Sequence, residues 1–171
     1  MATTVSDQLL QRLVEWGVRR VYGYPGDGIN GVMGALNRFK DKVELVQTRH
    51  EELAAFMATA HAKFTGEVGV CIATSGPGAI HLLNGLYDAK ADHQPVLAIV
   101  GQQARTALGG DFQQEVDLVS LFVPYALAAK MAHPDSSARR WPSCWASRAT
   151  SCCRRATRPR RWPCSRPIRW T

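Results

Sequence analysis

Four short apolar runs alternate with helical patterns through the first 132 residues, and this alternation constrains the fold more than any other feature. The runs occupy residues 18–24, 43–46, 68–73 and 95–100. The last two are apolar at successive positions, as expected for parallel strands that are covered on both faces. Between the runs, apolar residues recur at helical spacing. The pattern therefore predicts an α/β fold, with a doubly wound, Rossmann-like three-layer arrangement around a mostly parallel sheet.

Other local signals add detail to this fold. Thr4 or Ser6 can cap a first helix, and large apolar residues at helical spacing predict a long helix from about residue 50 to residue 64. These residues are Leu53, Phe56, Met57, Ala60 and Phe64. Residues 116–122 have a helical pattern, and residues 126–131 are typical of a last strand.

The composition changes at about residue 133, which predicts a domain of residues 1–132 followed by a non-globular tail. Residues 133–171 hold ten Arg and one Asp, a net charge of +9, and four of the five Trp. Since the whole chain carries +7, the first 132 residues carry −2. The basic balance is therefore no sign of nucleic-acid binding by the folded domain. We interpret the tail as disordered and as the product of a reading-frame shift in GC-rich DNA; an Arg/Trp-rich arm that binds anionic polymers is the alternative.

Cysteine usage and hydropathy exclude several classes of protein. Cys71 lies in an apolar run and is expected in the core, while the other four Cys follow residue 133 with no zinc-site spacing. No apolar run approaches roughly 18 residues, and the amino terminus does not resemble a signal peptide. We therefore expect a cytoplasmic protein with no membrane segment.

Glu51 follows the second apolar run and opens the long helix, so two interpretations compete for it. The carboxyl end of a parallel strand is where open α/β sheets place ligand chemistry. However, Thr48 and Glu51 also have the Ser/Thr-x-x-Glu spacing of a capping box, in which the carboxylate binds backbone N–H groups and does no chemistry. On the residues alone, the cap is favoured.

Two small-residue turns follow the first and third apolar runs, at residues 25–28 and 74–78. Glycines in such turns let the backbone approach a ligand closely. A dinucleotide-binding domain would need Gly-x-Gly-x-x-Gly after its first strand. The glycines at 26, 28 and 31 follow a Pro-containing turn and do not fit that fingerprint, which leaves an unrelated nucleotide-binding domain as a lesser alternative.

Five motifs in order give a more specific resemblance. They are VYGYPG at 21–26, RHEE at 49–52, TSGPGAIHLLNGLYDA at 74–89, PVLAIVG at 95–101 and FQQE at 112–115. Residues 5–131 closely resemble the amino-terminal pyrimidine-binding (PYR) domain of thiamine diphosphate enzymes. The residues of the third and fifth motifs are more similar to those of pyruvate oxidase and quinone-dependent pyruvate dehydrogenase than to those of acetolactate synthase.

The resemblance implies roles for particular residues. Glu51 would hydrogen-bond N1′ of the aminopyrimidine and favour the imino tautomer, which takes the C2 proton and gives the ylid. This implication reverses the preference for a cap at Glu51. The positions that would line the pyrimidine ring are Pro25, Gly26, Thr74, Pro77 and His81, although acetolactate synthases more often have Asn at the last. Gln114 would face the substrate.

The resemblance also implies what other parts of such enzymes supply. The Mg²⁺–diphosphate site, and FAD in some members, belong to other domains, and the Gly-Asp-Gly at 26–28 lacks the later Asn residues of a magnesium motif. No metal site is therefore predicted here. Expected partners are a 2-keto acid such as pyruvate, and either a second PYR domain, in a homodimer or homotetramer, or a diphosphate-binding domain. We expect the chain to be truncated and inactive alone, whether as an inert piece or as part of a split enzyme.

Overall fold

The computed structural model describes residues 3–124 of the chain. Its first elements, numbered in chain order, are helix α1 (Val5–Glu15), strand β1 (Arg20–Gly23), a 3₁₀ turn (Asp27–Ile29), helix α2 (Asn30–Arg38), strand β2 (Glu44–Gln47) and helix α3 (Glu51–Thr65). Then follow strand β3 (Gly69–Ala73), helices α4 (Pro77–His81) and α5 (Leu83–Ala91), strand β4 (Val96–Val100) and helix α6 (Leu118–Phe122). The alternation predicted from the sequence is confirmed. The helix expected after the 74–78 turn is divided in two at Leu82.

The four strands form one parallel sheet in the order β2-β1-β3-β4. Strands β1 and β3 are adjacent although β2 lies between them in the chain, so the direction of winding reverses between them. Every residue of β3 is buried, which agrees with its apolar sequence. The residues of β4 are only half-buried because the strand has one neighbour among the described residues.

Two hydrophobic clusters show that the described sheet is covered on both faces. One contains Val21, Val70 and Ile72 together with residues of α1 and α2. The other contains Tyr22 and Cys71 together with alanines of α3. Because successive side chains of a strand point to opposite faces, these neighbours divide between the clusters. The doubly wound three-layer prediction is therefore confirmed.

Helix α1 shows how local sequence sets one of the outer layers. Thr4 is its N-cap: the Thr4 hydroxyl oxygen accepts a bond from the Asp7 backbone N–H, and the Asp7 carboxylate accepts one from the Thr4 N–H, in a capping box. Arg38 of α2 also donates to the Asp7 carboxylate at 2.6 Å. These bonds connect α1 and α2, and the choice between Thr4 and Ser6 is settled in favour of Thr4.

Helix α3 buries its small residues rather than the large ones that identified it in the sequence. The buried face consists of Glu51, Ala54, Ala55, Ala58, Thr59 and Ala62. The reason is the close approach of α5: a Cβ placed on Gly85 would lie 2.5 Å from the Ala55 Cβ. Large side chains do not fit in that contact, so they lie on the outer face of α3.

Several predictions fall outside the described residues. The strand at 126–131, the domain boundary at residue 132 and the Arg-rich segment 133–171 all lie there and stay predictions. Among residues 3–124, no helix has both the length and the apolar character needed to cross a bilayer.

Candidate functional site

The turns after β1 and β3 lie against each other where the winding of the sheet reverses. A Cβ on Gly26 would lie 2.5 Å from the Thr74 Cβ, so only glycine permits this approach. The Gly28 N–H donates to the Thr74 hydroxyl at 3.1 Å, and the Asp27 carboxylate lies 3.4 Å from the same oxygen. In open α/β sheets, this carboxyl edge at the reversal point is the usual place for a ligand.

A third segment packs onto the same edge. Gly76 has φ of 59°, in the left-handed region, and a Cβ there would lie 2.5 Å from the Gln114 carbonyl oxygen. Gln103 joins the two segments, since its amide nitrogen donates to the Ser75 hydroxyl at 3.2 Å and to the Gln113 carbonyl at 2.9 Å. The structure therefore places Gln114, expected to face the substrate, beside the turn that begins α4.

The capping box predicted for Thr48 and Glu51 is wrong. The N-cap of α3 is His50, whose Nδ1 accepts a bond from the Glu52 N–H at 3.3 Å. Glu51 is thus the first residue of the helix. In a capping box, the carboxylate belongs to the third helical residue, which is two positions further along the chain. The Thr48 hydroxyl instead donates to the His50 carbonyl at 2.9 Å.

The Glu51 side chain turns across the edge of the sheet toward α4. Glu51 is 8% exposed, and its Oε2 lies 3.0 Å from Nδ1 of His81. Its Oε1 faces Gly78, where a Cβ would lie 3.2 Å from that oxygen and 2.7 Å from the Thr74 Cγ2. Because Gly78 has no side chain, both Thr74 and the Glu51 carboxylate pack against its backbone, and Oε2 is held by His81 while Oε1 lies beside Gly78.

His50 is the site residue that sequence reasoning missed. Its ring stacks on that of His81, with centroids 4.4 Å apart and planes 32° apart. Both histidines are exposed, whereas Glu51 is buried. The sequence could have pointed to His50 because it immediately precedes Glu51 in the RHEE motif. Its contact with His81 could not be foreseen, because the two residues are 31 positions apart in the chain.

Most of the sequence-predicted residues therefore meet at one edge. Contacts connect Gly26 to Thr74, Thr74 through Gly78 to Glu51, and Glu51 to His81. Pro25 precedes Gly26 and is half-buried, and Pro77 is the exposed first residue of α4. An open surface depression lies beside them, lined by Tyr24, Gln47, Thr48 and Arg49.

The arrangement provides a buried carboxylate with one fixed oxygen. A carboxylate so placed can accept a hydrogen bond from a ligand nitrogen or hold a proton that the ligand exchanges. The lack of a side chain at Gly26 and at Gly78 lets Thr74 pack directly against the backbone at both positions, because a side chain at either would collide with Thr74.

The chain matches a known protein family over most of its length. Residues 3–121 match the family described as "Thiamine pyrophosphate enzyme, N-terminal TPP binding domain". Thiamine pyrophosphate and thiamine diphosphate are the same cofactor.

Individual relatives support this assignment. Pyruvate oxidase of Lactiplantibacillus plantarum is 48% identical over 109 residues, which are 64% of this chain and 18% of that protein. The acetolactate synthase isozyme 2 large subunit of Escherichia coli is 50% identical over 105 residues, 61% of this chain and 19% of that protein. YdaP of Bacillus subtilis (strain 168), provisionally described as thiamine pyrophosphate-containing, is 48% identical over 138 residues, 80% of this chain and 24% of its own length.

The chain thus spans about a quarter or less of the length of these relatives. The family match removes the alternative of an unrelated nucleotide-binding domain. The same conclusion is supported by the sequence motifs, by the all-parallel sheet of the described residues and by the match over 119 residues. The chain belongs to the family of N-terminal thiamine pyrophosphate-binding domains of thiamine pyrophosphate enzymes.

Proposed function

We propose that this chain supplies the aminopyrimidine half of a thiamine diphosphate site in an enzyme that acts on a 2-keto acid such as pyruvate. The observation that carries the proposal is the buried Glu51 carboxylate, whose Oε2 is held by His81 and whose Oε1 lies beside Gly78. Two of the relatives described above are named as pyruvate oxidase and acetolactate synthase, which supports this substrate class.

The residues at this edge fit the pyrimidine end of the cofactor. The flat ring is proposed to lie against the edge formed by Thr74 and the Glu51 carboxylate, with Pro25, Gly26, Pro77 and His81 around it. Glu51 then holds a hydrogen on N1′ of the ring, which favours the imino tautomer. When bound, the cofactor supplies the C2 nucleophile and the electron sink for decarboxylation.

His81 is proposed to position Glu51 rather than to react itself. Its Nδ1 fixes Oε2 at 3.0 Å, so that Oε1 keeps its direction toward Gly78. A carboxylate held on one side loses little conformational freedom when it binds a ligand on the other. Gln114, beside Gly76, is proposed to face the substrate.

The diphosphate end of the cofactor requires another domain. In the thiamine diphosphate enzymes that this chain resembles, Mg²⁺ and the residues around it hold the diphosphate, and some members also bind FAD. Charge-assisted contacts of that kind supply much of the affinity for a phosphorylated ligand. We therefore expect the described domain alone to bind thiamine diphosphate weakly and to lack turnover. Calorimetry that gave micromolar affinity for this chain would contradict that expectation.

Glu51→Gln tests the proposal directly because it keeps the shape of the side chain and removes the carboxylate. In a full-length relative, the matching substitution is expected to abolish exchange of the cofactor C2 hydrogen with deuterium, measured by NMR. In this chain, ligand-observed NMR with the isolated aminopyrimidine should detect binding that Glu51→Gln removes. Glu44→Gln is the matched control, since this exposed residue begins β2 at the opposite end of the strand. Unchanged C2 exchange would remove Glu51 from the mechanism.

We also propose that a second PYR domain covers the outer face of α3. Four large apolar side chains are exposed there, Leu53, Phe56, Met57 and Phe64, the last with 89% exposure. Tyr87 of α5 is exposed as well. Exposed apolar patches of this kind mark interaction surfaces.

Phe64→Glu should therefore weaken self-association of the chain in sedimentation velocity experiments. Val5→Glu introduces the same charge at an exposed apolar position of α1 and should leave association unchanged. Equal effects of both substitutions would contradict the assignment. A chain that is monomeric at every concentration would contradict the proposal that a second PYR domain covers this face.

A further inference from the structure

Two histidines and a glutamate meet at the edge of the sheet in an arrangement that the proposed function does not use fully. His50, Glu51 and His81 each offer one ligand atom, and these atoms all lie within 4.8 Å of one another. We propose that they form a binding site for a divalent transition metal ion, with Zn²⁺ as the best-suited ion. The proposal differs from the expectation from the sequence that the domain has no metal site.

The donor set decides the class of metal. Imidazole nitrogens suit Zn²⁺, Cu²⁺ and Ni²⁺, whereas Mg²⁺ and Ca²⁺ prefer sites made of oxygen atoms alone. Two imidazoles with one carboxylate are the protein ligands of a common type of zinc site, in which the fourth position is left to water or another small ligand. This is a different ion, with different ligands, from the Mg²⁺ that accompanies the diphosphate.

The distances fit one ion with small adjustments. Zinc binds nitrogen and carboxylate oxygen at about 2.0–2.2 Å, so two donors on a tetrahedral ion are about 3.4 Å apart. His81 Nδ1 and Glu51 Oε2 are already 3.0 Å apart. His81 ligates through Nδ1 in the tautomer that carries its proton on Nε2. Metal binding therefore replaces the hydrogen bond between His81 and Glu51 with two bonds to the metal ion.

His50 completes the set by rotating its exposed ring. The ring already lies beside that of His81, with centroids 4.4 Å apart. Its hydrogen bond to the Glu52 N–H is long, at 3.3 Å, and is given up when the ring ligates the metal. Solvent can then take the N–H, because that bond is exposed. The backbone of α3 therefore does not need to move.

A second histidine–glutamate pair shows why this cluster is different. His61 Nε2 lies 3.3 Å from the Glu67 carboxylate, but the other ring nitrogen is 3.1 Å from the Tyr22 hydroxyl. That pair offers two metal donors, one fewer than the cluster at Glu51. Among residues 3–124, the cluster at Glu51 is the one group in which three donors converge.

Metal and cofactor are expected to compete at Glu51. Zn²⁺ on Oε2 draws negative charge from the carboxylate, so Oε1 becomes a weaker partner for the hydrogen on N1′ and the metal is expected to weaken binding of the aminopyrimidine. This consequence rests on the proposed function. The metal binding does not, because it depends on the three side chains alone, so either proposal can fail without the other.

Zinc titration of the full chain tests the site. The four Cys beyond residue 133 are first replaced by Ser, so that their thiols contribute no zinc binding. Isothermal titration calorimetry with Zn²⁺ alone is then performed on this chain and on His50→Ala, His81→Ala and His93→Asn. The last is the matched control: His93 is exposed, lies outside the cluster and has φ of 55°, a conformation that Asn tolerates.

We expect one Zn²⁺ per chain and a loss of affinity greater than about tenfold for His50→Ala and for His81→Ala, but not for His93→Asn. Imidazole NMR of the unsubstituted histidines provides a measurement that does not depend on folding of the variants. Zn²⁺ should shift the ring signals of two of the five His, those of His50 and His81. Absence of zinc binding, equal affinity in all four chains, or shifts confined to other histidines would overturn the proposal.

Discussion

Gly85 lies in the contact between α5 and α3, so its replacement by alanine tests the packing that positions the site. A Cβ there would lie 2.5 Å from the Ala55 Cβ and 2.6 Å from the Phe56 backbone nitrogen. Carbon atoms pack at about 3.5–4.0 Å, so the two helices would need to separate by about 1 Å. Since backbone atoms of α3 cannot turn aside, the strain cannot be relieved by a change of rotamer.

The expected magnitude follows from two opposing effects. Overpacking of an interior costs about 1–3 kcal/mol, and contact with backbone atoms favours the upper end of that range. The better helix propensity of alanine contributes about 1 kcal/mol in the other direction. We therefore expect Gly85→Ala to lower the free energy of unfolding by about 2 kcal/mol.

Gly34→Ala is the matched control in α2. There the atom found within 4 Å of an added Cβ is the end of the flexible Arg38 side chain, at 3.5 Å. The same substitution should raise the free energy of unfolding by about 0.5–1 kcal/mol. Urea unfolding followed by circular dichroism measures both. If Gly85→Ala were as stable as the unsubstituted chain, the close α3–α5 contact would be refuted.

Two further predictions concern titratable groups. Hydrogen bonds from Thr4 and from Arg38 lower the pKa of Asp7 from 3.8 to about 2. Its carboxylate therefore stabilises the fold above the ordinary pKa, and this contribution is lost as the pH falls through the folded value. The difference in urea midpoint between the chain and Asp7→Asn should shrink between about pH 5 and pH 2; a constant difference would contradict the assignment. Burial raises the pKa of the Cys71 thiol to about 12. Iodoacetamide at about pH 8 should therefore modify Cys71 only after unfolding, as located by peptide mass mapping, and modification at equal rates in native and unfolded chains would show that β3 is accessible.

The fold and the position of the site could largely be predicted from the sequence because both depend on local patterns. Apolar runs that alternate with helical periodicity specify strands and helices, and a parallel sheet places all strand ends at one edge. The turns at residues 25–28 and 74–78, and the helix that begins with Glu51, follow three of those strands. Their convergence therefore needs no knowledge of individual contacts.

Helix α3 shows where local reasoning gave an incomplete description. Helical spacing of Leu53, Phe56 and Phe64 identified the helix, but the core face is formed by alanines. Helical periodicity shows that an apolar face exists, and it does not show what covers that face. The small residues face inward because α5 approaches so closely that Gly85 contacts Ala55.

Glu51 shows most clearly what was determined by the sequence and what was decided by the tertiary structure. The sequence by itself determined that a carboxylate lies between a strand and a helix, and the motifs around it identify the family. The spacing from Thr48 also suggested a capping box, which requires the helix to begin two residues earlier than it does. Only the tertiary structure decided that the carboxylate turns to His81, 30 residues away, because that contact depends on how α3 and α4 pack at the sheet edge.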